Sequence, residues 1–237
     1  SEHFPKLEDA VAKADVVTMV AVNMRFHPGP ALVKQRIDAG DIGAPLWARF
    51  HSGSRLPKWR PGTDYRRSYS ASKEHGGAIL DCIHELDLAA WMFGPGTLVS
   101  AGHTPACSIG LECEGLAEIL TRHSSGTLVS THLNFIQQNY QREIEIVGSD
   151  ATLQWNIHRP EVRILKPDAD SPFFVDPVPT VHYHKSIAGL DSMYLDEMSH
   201  FLYCVVNRTE SCNPINLAIQ TTRVALDARG SCYSLKS

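Results

Sequence analysis

Apolar and polar positions along this chain follow two rhythms, and the rhythm changes near residue 97. Before that point the pattern alternates between helical and strand-like runs. "FPKLEDAVAKAD" predicts a short helix over 5–14, and "VVTMVAVN", apolar almost throughout, predicts a buried strand over 16–22 that closes on Asn23. "GPALVKQRIDAGDIG" has the spacing of an amphipathic helix over 29–39, closed by Gly40, and "APLWARFHSG" starts a strand. Strand, helix, strand is the order of an α/β chain. Residues 54–75 then form a long polar loop with two prolines. Structureless loops beyond roughly 12–15 residues are uncommon and usually functional. From 97 to 165 the period falls to two. "TLVSAGH", "GLAEILTRH", "GTLVSTHLNF", "QREIEIVG", "ATLQWNI" and "EVRILK" read as six strands of an antiparallel meander, broken by turn chemistry at "SSG", "GSD" and "HRP". A proline-rich irregular segment over 167–187 and two helices, 190–206 and 214–229, complete the chain. The fold class is α/β (α+β): an open, mainly antiparallel sheet with helices on one face.

One helix carries more charge than packing needs. "GGAILDCIHELDLAAWMFGPG", residues 76–96, is bounded by Gly76-Gly77 and by Gly94-Pro95, the usual stop signal. Turned by 100° per residue, Ile79, Ile83, Leu86, Ala90 and Phe93 form one apolar stripe, which packs on the meander. Asp81, His84, Leu88 and Trp91 take the opposite face, with Asp81 and His84 neighbours at i, i+3. A carboxylate beside an imidazole raises its pKa, orients the ring and lets the pair move a proton near neutral pH. The plainer alternative is a solvated helix face. Asp87, at the stripe's edge beside Leu80, reads as a structural hydrogen-bonding group.

Composition narrows the classes. The 237 residues are 43% apolar and 20% charged with a formal charge of −4, so the chain can bury a core, and no basic block points to nucleic acid or an acidic membrane surface. No apolar run approaches the roughly 20 residues that span a bilayer. The six cysteines (82, 107, 113, 204, 212 and 232) are scattered without a C-x-x-C, which fits reduced thiols in a cytoplasmic protein. The loop "KWRPGTDYRRSY" gathers Lys58, Trp59, Arg60, Tyr65, Arg66, Arg67 and Tyr69. Arginine forks grip carboxylates or phosphates and aromatic faces pack on sugar rings, so this grouping suggests an anionic sugar; otherwise it is a solvated basic loop. Asn23 and Arg25 follow a strand end, where α/β sheets place ligand groups. His182 and His184 could share a metal, but no third ligand lies near them in sequence, and no metal site is expected. A hydrolase elbow, G-x-S-x-G, is absent.

"GGAILDCIHELDLAAWMFG" resembles the GG…D…H-x-x-D…W-x-x-G signature of the Gfo/Idh/MocA family of NAD(P)-dependent oxidoreductases. "VAVNMRFHPGPALVKQRIDAGDIG" is similar to the family's strand ending in N-x-R-F-x-P and the helix that closes in G-x-I-G. "IEIVGSDATLQWN" resembles its G-x-x-G-x-L hairpin, and "LDEMSHFLYCV…NLAIQTTRVALDARGS" its last two helices. Many members have three residues between the helix Asp and His, whereas two stand here; both spacings keep the pair on one helical face. The family's glycine-rich phosphate loop and Glu-Lys-Pro are not found in this sequence. Ser1 falls about where the sequence following that tripeptide would lie, so residues 1–22 resemble a remnant of a Rossmann domain and 23–237 a substrate-binding and oligomerisation domain.

The resemblance implies an oxidoreductase moving hydride between NAD or NADP and a carbohydrate, which the basic-aromatic loop suggests is a sugar nucleotide or a sugar acid. His84 would be the acid/base and Asp81 its orienting partner. Arg25, Trp59, Arg60 and Tyr65 would bind substrate, and Asn23 would approach the nicotinamide. The chain alone is expected to be inactive. A non-enzymatic binding, regulatory or oligomerisation module of the same fold is the alternative. On the bare face of the meander the alternation shows few charges, which together with the resemblance predicts a homodimer or a tetramer through that face.

Overall fold

A computed structural model describes residues 3–167, 177–185 and 191–231. Its helices are α1 (Phe4–Ala14), α2 (Pro28–Asp38), α3 (Ala78–Asp81), α4 (His84–Phe93), α5 (Asp191–Asn207) and α6 (Ile215–Gly230). Its strands are β1 (Pro45–Arg55), β2 (Gly96–Pro105), β3 (Glu114–His123), β4 (Leu128–Asn134), β5 (Ile136–Gly148), β6 (Thr152–Asn156), β7 (Glu161–Leu165) and β8 (Thr180–Tyr183). All eight strands form one sheet in the order β2-β3-β4-β1-β5-β6-β7-β8. Every neighbouring pair is antiparallel except β1 and β4, which run parallel from Trp47↔Leu128 to Gly53↔Asn134. The meander is therefore opened in its middle. After Asn134 the chain crosses the end of β1, where Leu56 N–H donates to Phe135 O at 3.0 Å, and returns along β1's other edge as β5. The last part of the irregular segment supplies β8; residues 168–176 and 186–190 lie outside the described residues.

The alternation places the core as expected. Val129, Thr131 and Leu133 of β4, Ile144 and Ile146 of β5, and Phe50 of β1 are at most 2% exposed and lie under the helices. They join Leu88, Ala89, Met92 and Phe93 of α4 in the cores that fix that helix on the sheet. Each such aliphatic or aromatic side chain contributes roughly 1.5–3 kcal/mol by leaving water.

Three expectations need correction. Residues 16–22 form no strand. They run extended along the 211–215 segment, with Val20 N–H donating to Asn213 O at 2.9 Å and Asn213 Nδ2 returning to Val20 O at 3.2 Å. Nor is the run buried as expected, since Val16 is 56% exposed and only Val22 of these residues is buried; among the described residues no strand pairs with it.

The helix predicted over 76–96 is broken at Cys82 (φ −97°, ψ 31°), so α3 and α4 are separate pieces. The 100° count does not run through the break, and Leu88, expected on the wet face, is 1% exposed. Gly77 opens α3 at φ +90°, with the Glu114 carboxylate only 2.2 Å from where a Cβ would stand. That geometry admits glycine alone.

The uncovered sheet face is not poor in charge. In register across it stand Glu118, His132, His51 and Glu143 in one row, and Arg49, Glu145, Gln154 and Arg163 in the next. Glu143 and Glu145 come from β5 itself; Glu118, Arg49 and Arg163 are added by β3, β1 and β7, whose order in the sheet the alternation alone does not give.

Candidate active site

Five elements converge on one cleft of about 510 Å³. The turn at 23–26 contributes Asn23 and Met24, followed by His27. The first residue of α4 is His84. Strand β5 sends in Tyr140 and Arg142, the β6–β7 turn brings Ile157 to Pro160, and His184, Met193 and Tyr194 close the rim. Among the described residues no carboxylate lines it.

His84 is partly buried, and its Nδ1 is shut off from solvent without a hydrogen-bond partner. Burial, and then the Arg142 charge, push its pKa down to about 4. Arg142 itself is held from behind. Its Nε lies 2.7 Å from Glu85 Oε1, in ion-pair contact but outside hydrogen-bonding alignment, and its Nη2 donates to Glu85 Oε2 at 3.4 Å. Nη2 also reaches Ser52 Oγ at 3.4 Å, and Nη1 reaches Met24 Sδ at 2.9 Å. Burial raises the Glu85 pKa more than Arg142 lowers it. Tyr140 is 42% exposed, yet burial of its hydroxyl raises the pKa, against the nearby Arg142 charge.

The remaining imidazoles are structural in their bonding. His184 accepts from Trp155 Nε1 at 3.3 Å and turns Nδ1 to Lys185 O at 2.9 Å. His158 Nε2 meets Tyr140 O at 2.7 Å. His27 Nδ1 accepts from Gly29 N–H at 2.9 Å, capping α2, and its ring packs edge-on against Trp155. Its pKa is lowered to about 4, first by burial and then by His184 and Arg142. A folded pKa below the unfolded value gives stability that is fully present above about pH 6.5 and lost as pH falls through about 4. His27→Asn keeps a capping acceptor that does not titrate. The stability gap between wild type and this variant should therefore narrow steadily from pH 7 to 4 in urea titrations; a pH-independent gap would show that His27 does not titrate as its burial implies.

The structure joins two of the predicted residues, His84 and Asn23, in the cleft. Asp81 is elsewhere. The break at Cys82 carries its carboxylate toward Tyr69, whose pKa is raised by hydrogen bonding with it, while Asp81 Oδ2 is buried without a partner. No Asp81–His84 contact forms, and the imidazole pKa falls where the expected dyad would raise it. Arg25 also turns away from the cleft. It is 6% exposed and clamps Asp87 through Nε to Oδ2 at 2.8 Å and Nη2 to Oδ1 at 2.7 Å. Asp87 is thus the structural group the sequence suggested.

The loop residues lie outside the cleft too. Trp59 packs edge-on against Phe135 and donates to Ser54 Oγ at 2.8 Å, Arg60 stacks over the Tyr69 ring, and Tyr65 Oη donates to Ile109 O at 2.8 Å. Sequence reading missed Arg142 and Glu85. The signal was available: in "REIEIVG" Arg142 shares the inward parity of Ile144 and Ile146, and a lone arginine on a buried face calls for a buried acid.

A smaller cavity of about 220 Å³ lies on the other side of α4, between Trp91, His123, Leu217 and Val224. Two of its polar side chains are engaged: Arg25 holds Asp87, and His123 bonds Gly94 O at 2.7 Å and Thr121 Oγ1 at 3.0 Å. Among the described residues no group of three or more His, Cys, Asp or Glu could hold a metal ion, and no helix is long and apolar enough to cross a membrane. The cleft does suit one end of a nicotinamide cofactor. Asn23 Oδ1 is buried without a partner on the same wall as His84, an acceptor suited to a carboxamide NH₂.

Comparison with known proteins agrees. Residues 31–154, over half the chain, match the GFO/IDH/MocA C-terminal domain. The chain is 31% identical over 96 residues to scyllo-inositol 2-dehydrogenase (NAD(+)) of Bacillus subtilis, covering 40% of this chain and 25% of that protein. It is 27% identical over 150 residues to D-apiose dehydrogenase of Paraburkholderia graminis, covering 61% and 38% respectively. In fold it superposes on an NAD binding oxidoreductase from Klebsiella pneumoniae with a TM-score of 0.79 at 19% identity, covering 97% of this chain and 68% of that one. The matches thus span well under half of the curated relatives' length. The chain belongs to the GFO/IDH/MocA family, of which it carries the C-terminal domain.

Proposed function

We propose that residues 23–237 are the substrate-binding and oligomerisation domain of an NAD(P)-dependent oxidoreductase acting on a carbohydrate. Residues 1–22 are, on this reading, the end of its dinucleotide-binding domain. The observation that carries the proposal is the meeting of an unpartnered His84 imidazole and an unpartnered Asn23 carbonyl in one cleft. When bound, the nicotinamide supplies hydride acceptance or donation. Asn23 orients that ring's carboxamide. His84 Nε2, the ring nitrogen open to the cleft, takes the proton of the substrate hydroxyl as its carbon loses hydride, and returns it in the reverse direction. Asp81 has no part in this step.

The relatives named as inositol and apiose dehydrogenases support a polyol or sugar. Arg159 on the rim is only loosely paired, 3.9 Å from Glu161 with its side chain 61% exposed, which leaves it able to meet a substrate bearing an anion. Reducing the nicotinamide in the presence of a panel of polyols, sugars and sugar acids tests the proposal on the protein joined to its dinucleotide-binding domain. Activity confined to hydroxyl-bearing carbohydrates is expected; none with any member, despite cofactor binding, would leave a non-catalytic binding module.

The homodimer or tetramer is kept as part of the proposal. Its support is now the apolar row Leu128, Trp47 and Val147 beside the charged rows of the sheet face. Light scattering on the chain checks it, and a monomer at tens of micromolar would remove it.

A further inference from the structure

Arg142 lines the cleft with no role in the step just described, yet it is tightly held by an ion pair with Glu85 and by hydrogen bonds to Met24 and Ser52. It enters from the inward face of β5, directly opposite Ser52 of β1, and its side chain is 12% exposed. Burying a guanidinium costs several kcal/mol unless an acid compensates. That acid, Glu85, is the residue after His84 and is itself 1% exposed. One turn of α4 therefore carries both the imidazole and the anchor that fixes a positive charge beside it. We propose that Arg142, clamped by Glu85, is a positioning residue for His84: its fixed charge opposes a second positive charge on the imidazole, so that His84 meets the substrate as a proton acceptor. This rests on the reading of His84 as the proton-exchanging group.

Among the described residues no carboxylate lines the cleft beside His84; Glu85 faces Arg142, and Glu161 lies 3.9 Å from Arg159. His84 faces Tyr140 and Arg142 from β5, His158 and Arg159 from the β6–β7 turn, His27 beyond the 23–26 turn, His184 after β8, and Tyr194 of α5. On its own side, Asp81 points to Tyr69, burial pushes the Cys82 thiol pKa up so that it stays protonated, and Glu85 is engaged by Arg142. The depressed pKa of His84, with burial as the first cause and Arg142 as the second, agrees with this arrangement. A neutral imidazole at physiological pH favours alcohol oxidation, the direction in which the protein must accept a proton.

The test needs neither cofactor nor turnover. The His84 ring is followed by NMR through a pH titration of the 237-residue chain and its variants. Arg142→Met should raise the His84 midpoint by about one pH unit or more, the usual effect of a charge at close range, while Arg142→Lys should stay near wild type. Glu85→Gln, which leaves Arg142 uncompensated, should lower the midpoint further. Should Arg142→Met fail to fold because Glu85 is left buried and unpaired, the double variant Arg142→Met/Glu85→Gln reads the same rise. A His84 midpoint that stays put in a folded variant lacking Arg142 overturns the proposal. The two readings fail separately. A midpoint that moves as expected, in a protein whose turnover survives loss of His84, would keep the charge coupling and remove the catalytic role.

Discussion

His84→Ala, made in the protein with its dinucleotide-binding domain, is expected to lower kcat by about 10²- to 10⁴-fold while changing KM far less, the usual cost of losing a general acid/base. The expectation follows from where the imidazole stands. It opens α4 at the wall of a cleft that, among the described residues, no carboxylate lines to take its place. The pH dependence carries a sign. Burial and Arg142 lower the pKa to about 4, so His84 is neutral across the range from 5 to 8. Oxidation, which needs the neutral form, should hold its rate down to about pH 5 and fall as pH drops through about 4. An ordinary histidine would cut the rate near 6.5. Asp81→Asn should leave that limb where it is, because Asp81 touches Tyr69 and not His84. Profiles of kcat/KM against pH for the three proteins check all of this. Turnover of the His84 variant near the wild-type level would return the imidazole to an ordinary helix-face residue.

How much of this was legible depends on what each signal encodes. Period-two alternation encodes which face is buried, and it placed Val129, Leu133, Ile144 and Ile146 correctly on the covered side. It does not encode which strands are neighbours. The insertion of β1 between β4 and β5 was invisible, and with it the places of Arg49 and His51 in the polar rows of the open face. Helical periodicity assumes an unbroken helix, so the break at Cys82 defeated the Asp81–His84 pairing while leaving His84 itself in place. Asn23 was found because its position after an apolar run is informative. Arg25, two residues on, was misplaced because a 3-10 turn sends alternate side chains in different directions. The loop over 58–69 drew attention by composition, but its aromatic groups bond within their own neighbourhood and away from the cleft. Arg142 was visible as a charge at a buried position, but only the fold shows that Glu85 is buried and meets it.

The largest stability effect is expected at Arg25 and Asp87, whose side chains are each 4% exposed. Arg25 holds Asp87 of α4 with two nitrogens and reaches Asn213 Oδ1 at 3.2 Å and the Cys212 carbonyl, so three segments meet at one guanidinium. Arg25→Met leaves a buried carboxylate without its partner, and should cost about 3–5 kcal/mol in urea unfolding, the usual penalty for breaking a buried pair from one side. Asp87→Leu should cost a similar amount by stranding the guanidinium. The double variant is the informative one. Despite two charged hydrogen bonds, the Asp87 pKa is raised, because burial outweighs Arg25. A carboxyl whose folded pKa is raised adds stability that is fully present below its unfolded pKa and lost as pH rises through the folded one. At neutral pH the ionised Asp87 is therefore held against its own preference, and its value lies in geometry: it fixes the 23–26 turn, and so Asn23, against α4. Arg25→Met/Asp87→Leu should recover most of the stability lost by either single variant, while the register of Asn23 beside His84 loosens and cofactor KM rises. A double variant as unstable as the single ones would show that the pair stabilises the fold outright and that its desolvation is the smaller effect.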